Sequence, residues 1–174
     1  KNQYEVQNMI FWGSSGGGFP ALFLSNFFKN SVALVNAPTT TLSAHHNSNL
    51  VMNIEDTLSE YLADEIDSFL DLETFSSQKN NAIILQNKND SVFIKYHLKP
   101  YLKSKGIVFE NKDILEGCLK VVYRDWGKGH LVPPVFILSN LLRLLEKKDT
   151  EFLIDVRSSK INTIVNCDVC ISDR

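Results

Sequence analysis

The sequence predicts an α/β domain built on a mostly parallel sheet. Two observations carry that expectation. Short, mostly apolar runs recur at Met9-Ile10-Phe11-Trp12, Val32-Ala33-Leu34-Val35, Ala82-Ile83-Ile84-Leu85 and Leu119-Lys120-Val121-Val122-Tyr123. Continuous runs of this length read as strands buried on both faces. Between them lie stretches with apolar residues at helical spacing, and strands alternating with helices imply parallel strands covered on both sides. The 174 residues are 44% apolar, 22% charged and 10% aromatic. That composition suits one globular domain able to bury roughly 70% of its unfolded surface.

The elements follow in chain order. Met9–Trp12 is a buried strand stopped by glycine, and Gly13 to Gly18 is a glycine-rich turn. Phe19 to Lys29 reads as a helix, with Phe19, Leu22, Phe23, Phe27 and Phe28 mostly on one face. Pro20 falls in its first turn, where a missing N–H costs little. The second strand ends at Asn36-Ala37-Pro38. Residues Thr39 to Asn53 are polar and irregular. Ile54 to Leu72 then carries Leu58, Tyr61, Leu62, Ile66, Phe69 and Leu70 at helical spacing, with Glu60, Asp64, Glu65, Asp67 and Asp71 as a solvated face. The whole excursion, Thr39 to Ser77, interrupts the rhythm and is a candidate cap over a site.

After the third strand, Val92 to Lys103 is a helix stopped by Gly106, and Ile107-Val108-Phe109 is a short extended piece. The fourth strand leads into a loop from Gly127 to Pro134 and a helix from Val135 to Lys147, with Pro133-Pro134 at its start. Phe152–Val156 and Ile161–Val165 read as two strands of a tail. The expected organisation is a catalytic unit over 1–149, with 39–77 as the cap, and a strand-like tail or the start of a further unit over 150–174.

Charge and cysteines narrow the function. Eighteen Lys and Arg against twenty Asp and Glu give a formal charge of −2, so no basic field is present to hold a nucleic-acid backbone. No run of eighteen apolar residues exists, and Phe19 to Phe28 is interrupted by Pro20, Ser25 and Asn26. No transmembrane segment is therefore expected. The first residues lack the charged-then-apolar order of a signal peptide, and a reducing, cytoplasmic setting is expected. Cys118, Cys167 and Cys170 do not make a disulfide framework. Cys167 and Cys170 have CxxC spacing, yet no second pair and no nearby His completes a zinc set. No metal and no cofactor are expected.

The chemistry concentrates in Gly13-Ser14-Ser15-Gly16-Gly17, which fits G-x-S-x-G. A strand precedes it and a helix follows, the context of a nucleophile elbow. The sharp turn forces the serine into a strained conformation, and small neighbours avoid collision. Ser15 Oγ would stand above the sheet, and the Gly16 N–H would donate to an oxyanion. Two other readings are a serine cap with a glycine lead-in and a phosphate-holding loop. The loop lacks the Lys-Ser/Thr ending of a P-loop and the G-x-G-x-x-G spacing.

A nucleophilic serine needs a base, and the base needs an orienter. Asp90 follows the third strand and His130 follows the fourth, both at the sheet edge that carries the elbow. Ser15, Asp90 and His130 also come in the chain order this architecture uses. Asp125 and Asp113 are rival acids, Asp125 also being placed to position the histidine loop. His45 and His46 read as surface loop, His97 as surface or packing, and Trp12 and Phe11 as core.

With these residues in place, the chain resembles the α/β-hydrolase superfamily over Met9 to about Lys147. Gly13–Gly18, Asn36-Ala37-Pro38 and Asn89-Asp90-Ser91 are also similar to bacterial surface-glycan enzymes. Those include capsular-polysaccharide O-acetyltransferases and the hydrolase-like accessory protein of glycoprotein secretion. The resemblance implies a three-layer sandwich and acetyl transfer to, or removal from, a sugar hydroxyl, with a small-molecule or glycan ester as substrate. In the family several strands precede the elbow strand, and a loop after one of them gives the second oxyanion N–H. Here eight residues precede Met9. The expectation is therefore the C-terminal half of the usual sheet, in a fragment whose Met9–Trp12 edge is covered by an upstream part or an oligomer partner. The other function class is a catalytically inactive hydrolase-like binding or secretion module.

Overall fold

The structure, a computed structural model, describes residues 9–28, 30–41 and 81–146 together with 161, 162 and 164. The strands are β1 (Met9–Ser14), β2 (Ser31–Asn36), β3 (Asn81–Asn87), β4 (Ile114–Glu116) and β5 (Leu119–Arg124). They form one sheet in the order β1-β2-β3-β5-β4. The pairs β1–β2, β2–β3 and β3–β5 are parallel, while β4 runs antiparallel to β5. The chain is thus of the α/β class.

Side-chain alternation along each strand divides the core in two. Ala33, Val35, Ala82, Ile84, Leu119 and Val121 face one side. Helix α1 (Gly18–Ser25) packs there through Ala21 and Leu22. Helix α2 joins it with Leu98, Tyr101 and Leu102. This second helix runs from α-helical Ser91–Phe93 through a π-helical turn, Ile94–Leu98, into α-helical Lys99–Ser104. Val32, Leu34, Ile83, Leu85 and Val122 face the other side, against Ile137, Leu141 and Leu145 of helix α3 (Val135–Glu146).

The central strands are as apolar as their burial requires. Every residue of β2 is buried, as are six of the seven in β3. Among the described strands β1 lies at the sheet edge, and Trp12 is 54% exposed there. The core position expected for Trp12 is therefore wrong, since among the described strands β1 has β2 alone beside it. Phe11 does pack against the core. Replacing Leu34 by Ala should lower the unfolding free energy by about 2–5 kcal/mol, whereas Trp12→Ala should stay within about 0.5 kcal/mol. Urea melts of the two variants separate these outcomes.

Several expected elements are corrected. The first helix ends at Ser25 rather than Lys29. Ser25 Oγ and Asn26 Nδ2 both donate to the Leu22 carbonyl, the side-chain competition that ends helices. Phe27 and Phe28 consequently leave the buried face and are exposed. The short extended piece expected at Ile107–Phe109 joins no strand among the described residues, and an unexpected strand, Ile114–Glu116, pairs with β5 across a turn at Gly117. Residues Ile161, Asn162 and Ile164 are helical, not extended. Ile161 is fully buried against the α3 face, and Lys120 Nζ donates to Asn162 Oδ1 at 2.7 Å. Thr39, Thr40 and Thr41 are buried, although the sequence reads them as the start of a polar loop. The expected acidic helix 54–72, His45, His46, Cys167, Cys170 and the strand Phe152–Val156 lie outside the described residues.

Candidate active site

Parallel strands bring their C-terminal ends to one edge of the sheet, where α/β folds place their sites. Strand β1 ends there at Ser14, β3 at Asn87 and β5 at Arg124. Each of the three sequence-predicted residues lies just beyond one of these ends.

Ser15 follows β1 directly and opens a single 3-10 turn, Ser15–Gly17, that leads into α1. Its φ is +52°, the left-handed region that a residue with a side chain seldom adopts. Such a conformation costs on the order of 1–3 kcal/mol and persists where the surroundings impose it. Here a bond from the Thr39 N–H to the Ser15 carbonyl, at 2.8 Å, and one from Asn36 Nδ2 to Ser14 Oγ, at 3.1 Å, hold it. The crowding expected around the serine falls on two glycines. A Cβ on Gly13 would lie 2.0 Å from the Gly17 carbonyl oxygen, and one on Gly18 would lie 2.5 Å from Pro38 Cβ. Gly16 and Gly17 have open space. The second glycine of the G-x-S-x-G pattern is therefore not sterically required, while the one after it is.

Asp90 sits in the turn after β3, 3% exposed, and caps α2 by accepting the Phe93 N–H on Oδ1. That leaves Oδ2, which lies 2.5 Å from His130 Nδ1. The structure thus pairs the histidine with Asp90 and not with either rival. Asp113 accepts from Arg124 and from the Tyr123 N–H. Asp125 accepts from the Gly127 N–H at 2.9 Å and Asn89 Nδ2 at 2.8 Å. Those two bonds, the backbone one first, hold its carboxyl below the usual carboxylate range. Asp125 therefore braces the histidine loop.

The imidazole is fixed on a face as well as at an edge. The Phe93 ring stacks on it with centroids 4.0 Å apart and planes inclined by 22°. Phe93 in turn packs on His97, which is buried and receives the Thr40 N–H on Nδ1 at 3.4 Å. His97 is thus a packing residue. A continuous set of contacts links the elbow to the base: Ser15 to Thr39, then Thr40, His97, Phe93 and His130.

With Nδ1 on Asp90, the ring nitrogen left for chemistry is Nε2, on a side chain 39% exposed. Ser15 Oγ makes no hydrogen bond among the described residues, and nucleophile–base contacts are commonly loose before substrate binds. Asn36 Oδ1 and Thr39 Oγ1, both next to the elbow, are buried and find no hydrogen-bond partner among the described residues. Each such group costs about 1–3 kcal/mol, a cost that functional corners tolerate more often than cores. Among the described residues no set of three His, Cys, Asp or Glu is placed to hold a metal, and Cys118 is exposed. No helix among them is long and apolar enough to cross a membrane. Asn87 and Phe93 belong to this site without being predicted from the sequence; the string Asn87-Lys88-Asn89-Asp90 is the signal that points to the first. Comparison with protein-family models, curated proteins and solved structures yields no match.

Proposed function

We propose that this chain catalyses acyl transfer from an ester through an acyl-enzyme on Ser15. The observation that carries the reading is the 2.5 Å contact of His130 Nδ1 with buried Asp90, beyond the strand ends that also present Ser15 at φ +52°. An acid, a base and a strained serine at one sheet edge are the parts that nucleophilic acyl transfer needs.

In the first half-reaction, Ser15 Oγ bonds to the acyl carbon while its proton passes to His130 Nε2. The carbonyl oxygen takes up negative charge, which the Gly16 N–H meets. The tetrahedral intermediate then expels the alcohol, whose oxygen receives the proton from His130. In the second half, water or a sugar hydroxyl gives its proton to His130 and attacks the acyl carbon; the acyl–Oγ bond then breaks and His130 returns the proton to Ser15 Oγ, releasing the acid or the new ester. Asp90 holds the tautomer that presents Nε2 to the serine and stabilises the imidazolium. Water as acceptor makes the enzyme an esterase or deacetylase; a glycan hydroxyl makes it an O-acyltransferase. The resemblance to surface-glycan enzymes favours an acetylated glycan as substrate.

Intact-mass spectrometry after treatment with a fluorophosphonate tests this. One adduct is expected on the native chain and none on Ser15→Ala. Failure of the native chain to label would overturn the enzymatic reading in favour of a non-catalytic binding or secretion module.

A further inference from the structure

Asp90 and His130 are forty residues apart, on loops that leave different strands. A contact across two loops needs something that fixes one loop relative to the other. The backbone supplies one such tie, the Lys88 N–H donating to the Arg124 carbonyl at 2.8 Å. It lies at the strand ends, six residues short of His130.

Asn89 Nδ2 adds two ties at the exposed rim, to Asp125 Oδ1 at 2.8 Å and to the Gly127 carbonyl at 3.0 Å, and the buried ties converge on one side chain. Asn87, the last residue of β3, is fully buried. Its Nδ2 donates to the carbonyls of Gly127 at 2.8 Å and Gly129 at 2.6 Å. Its Oδ1 accepts the N–H of Trp126 at 3.1 Å and that of Asn89 at 3.4 Å. Two donors and two acceptors use the full capacity of a primary amide. They also set its orientation, because the carbonyls meet the NH₂ end and the N–H groups meet the oxygen. The Asn87 backbone carbonyl meanwhile accepts the Asp90 N–H at 3.2 Å. One residue therefore binds the turn that carries the acid and the loop that carries the base.

We infer that Asn87 is a positioning residue of the Asp90–His130 pair: its buried amide draws the 126–129 loop over the end of β3 and so seats His130 against Asp90. This rests on the acyl-transfer reading where rates are concerned, but not where the pair itself is concerned. The Asn87 side chain hydrogen-bonds to Gly127, Gly129, Trp126 and Asn89 rather than to His130 or Asp90, so it acts through loop geometry. Leaving backbone groups unmatched at this joint would displace the imidazole, and a displacement on the order of 1 Å can cost about a hundredfold in rate.

The test uses Asn87→Asp and Asn87→Ala. Asp keeps the size and the oxygen facing Trp126 but sets a second oxygen against two carbonyls. Two readouts are compared. One is the low-field Nδ1 proton resonance of His130, recorded in a Ser15→Ala background where no activity is required. The other is the fluorophosphonate labelling rate with Ser15 intact. Both substitutions should broaden or shift the resonance and slow labelling by about a hundredfold. Val122→Ala, a core change of general destabilising effect, should alter neither. An unchanged resonance and rate in folded Asn87→Asp would overturn the inference. Should both variants fail to fold, hydrogen exchange on the unaltered chain decides. Trp126 N–H, bonded to Asn87 Oδ1, should be protected as strongly as the amides of β3, and exchange at exposed-loop rates would overturn it. If the resonance depends on Asn87 while the native chain does not label, the positioning role stands and the acyl-transfer reading falls.

Discussion

Ser15→Ala and His130→Ala are each expected to lower kcat/KM for an activated acetyl ester roughly a millionfold, and the double variant is expected to lose no more than either alone. Nucleophile and base act as one unit. Once the base is gone the hydroxyl keeps its proton, and once the hydroxyl is gone the base has nothing to deprotonate. Asp90→Ala should cost less, about 10⁴-fold, because Asp90 orients and stabilises without bonding to the reacting atoms. The buried position of Asp90 and its bond to the Phe93 N–H add a second consequence. Removing the carboxylate also uncaps α2, which typically costs about 1 kcal/mol. Asp90→Asn is thus the cleaner variant, since it leaves an oxygen to accept that N–H. A steady-state series on these four single variants and Asp125→Asn checks the order. Full activity in Asp90→Asn together with loss in Asp125→Asn would transfer the acid role to Asp125. The bonds from Asp125 to the Gly127 N–H and Asn89 predict the reverse, a modest loss in Asp125→Asn through a looser loop.

The parts of this arrangement that were legible in the sequence are those set by local pattern. Continuous apolar runs marked β1, β2, β3 and β5, and strand–helix alternation put their ends at one edge. From that placement Ser15, Asp90 and His130 could be named before any contact was known. What was missed depends on contacts between distant segments. Strand β4 is three residues long, with two of them exposed, and gains its extended form from pairing with β5. Trp12 looks like core because its run is apolar, but core or edge is decided by which strand lies beside it. Asn87 looks like any polar strand end; its partners are about forty residues away. Phe93 looks like one more apolar helix position, yet its ring lies on the histidine because the 126–130 loop folds back over β3. The π-helical turn at Ile94–Leu98 has no local signal either. It brings His97 inward to meet Thr40, and so joins α2 to the segment that holds the Ser15 carbonyl.

The second large effect is expected from a single methyl group. Gly13→Ala should destabilise the fold by about 3 kcal/mol or more and abolish labelling of Ser15, with urea melts and intact mass as the measurements. The new Cβ would sit 2.0 Å from the Gly17 oxygen, 2.5 Å from its carbonyl carbon and 2.9 Å from the Gly18 nitrogen. All three are backbone atoms of the turn that bends the chain from β1 into α1, so no side chain can move aside. Relief requires opening that turn, which would release Ser15 from φ +52° and take the Gly16 N–H out of register with the serine. Gly17→Ala offers the contrast within the same motif. Nothing lies within 4 Å of a Cβ there and the backbone is right-handed helical, so stability should change by no more than about 1 kcal/mol and labelling should persist. If Gly17→Ala proved as damaging as Gly13→Ala, the turn would be sensitive to any added bulk, and the tight approach of Gly13 to Gly17 would not be what sets the serine. If both variants labelled normally, the strained turn would be dispensable for reactivity, and the elbow would lose its part in the mechanism.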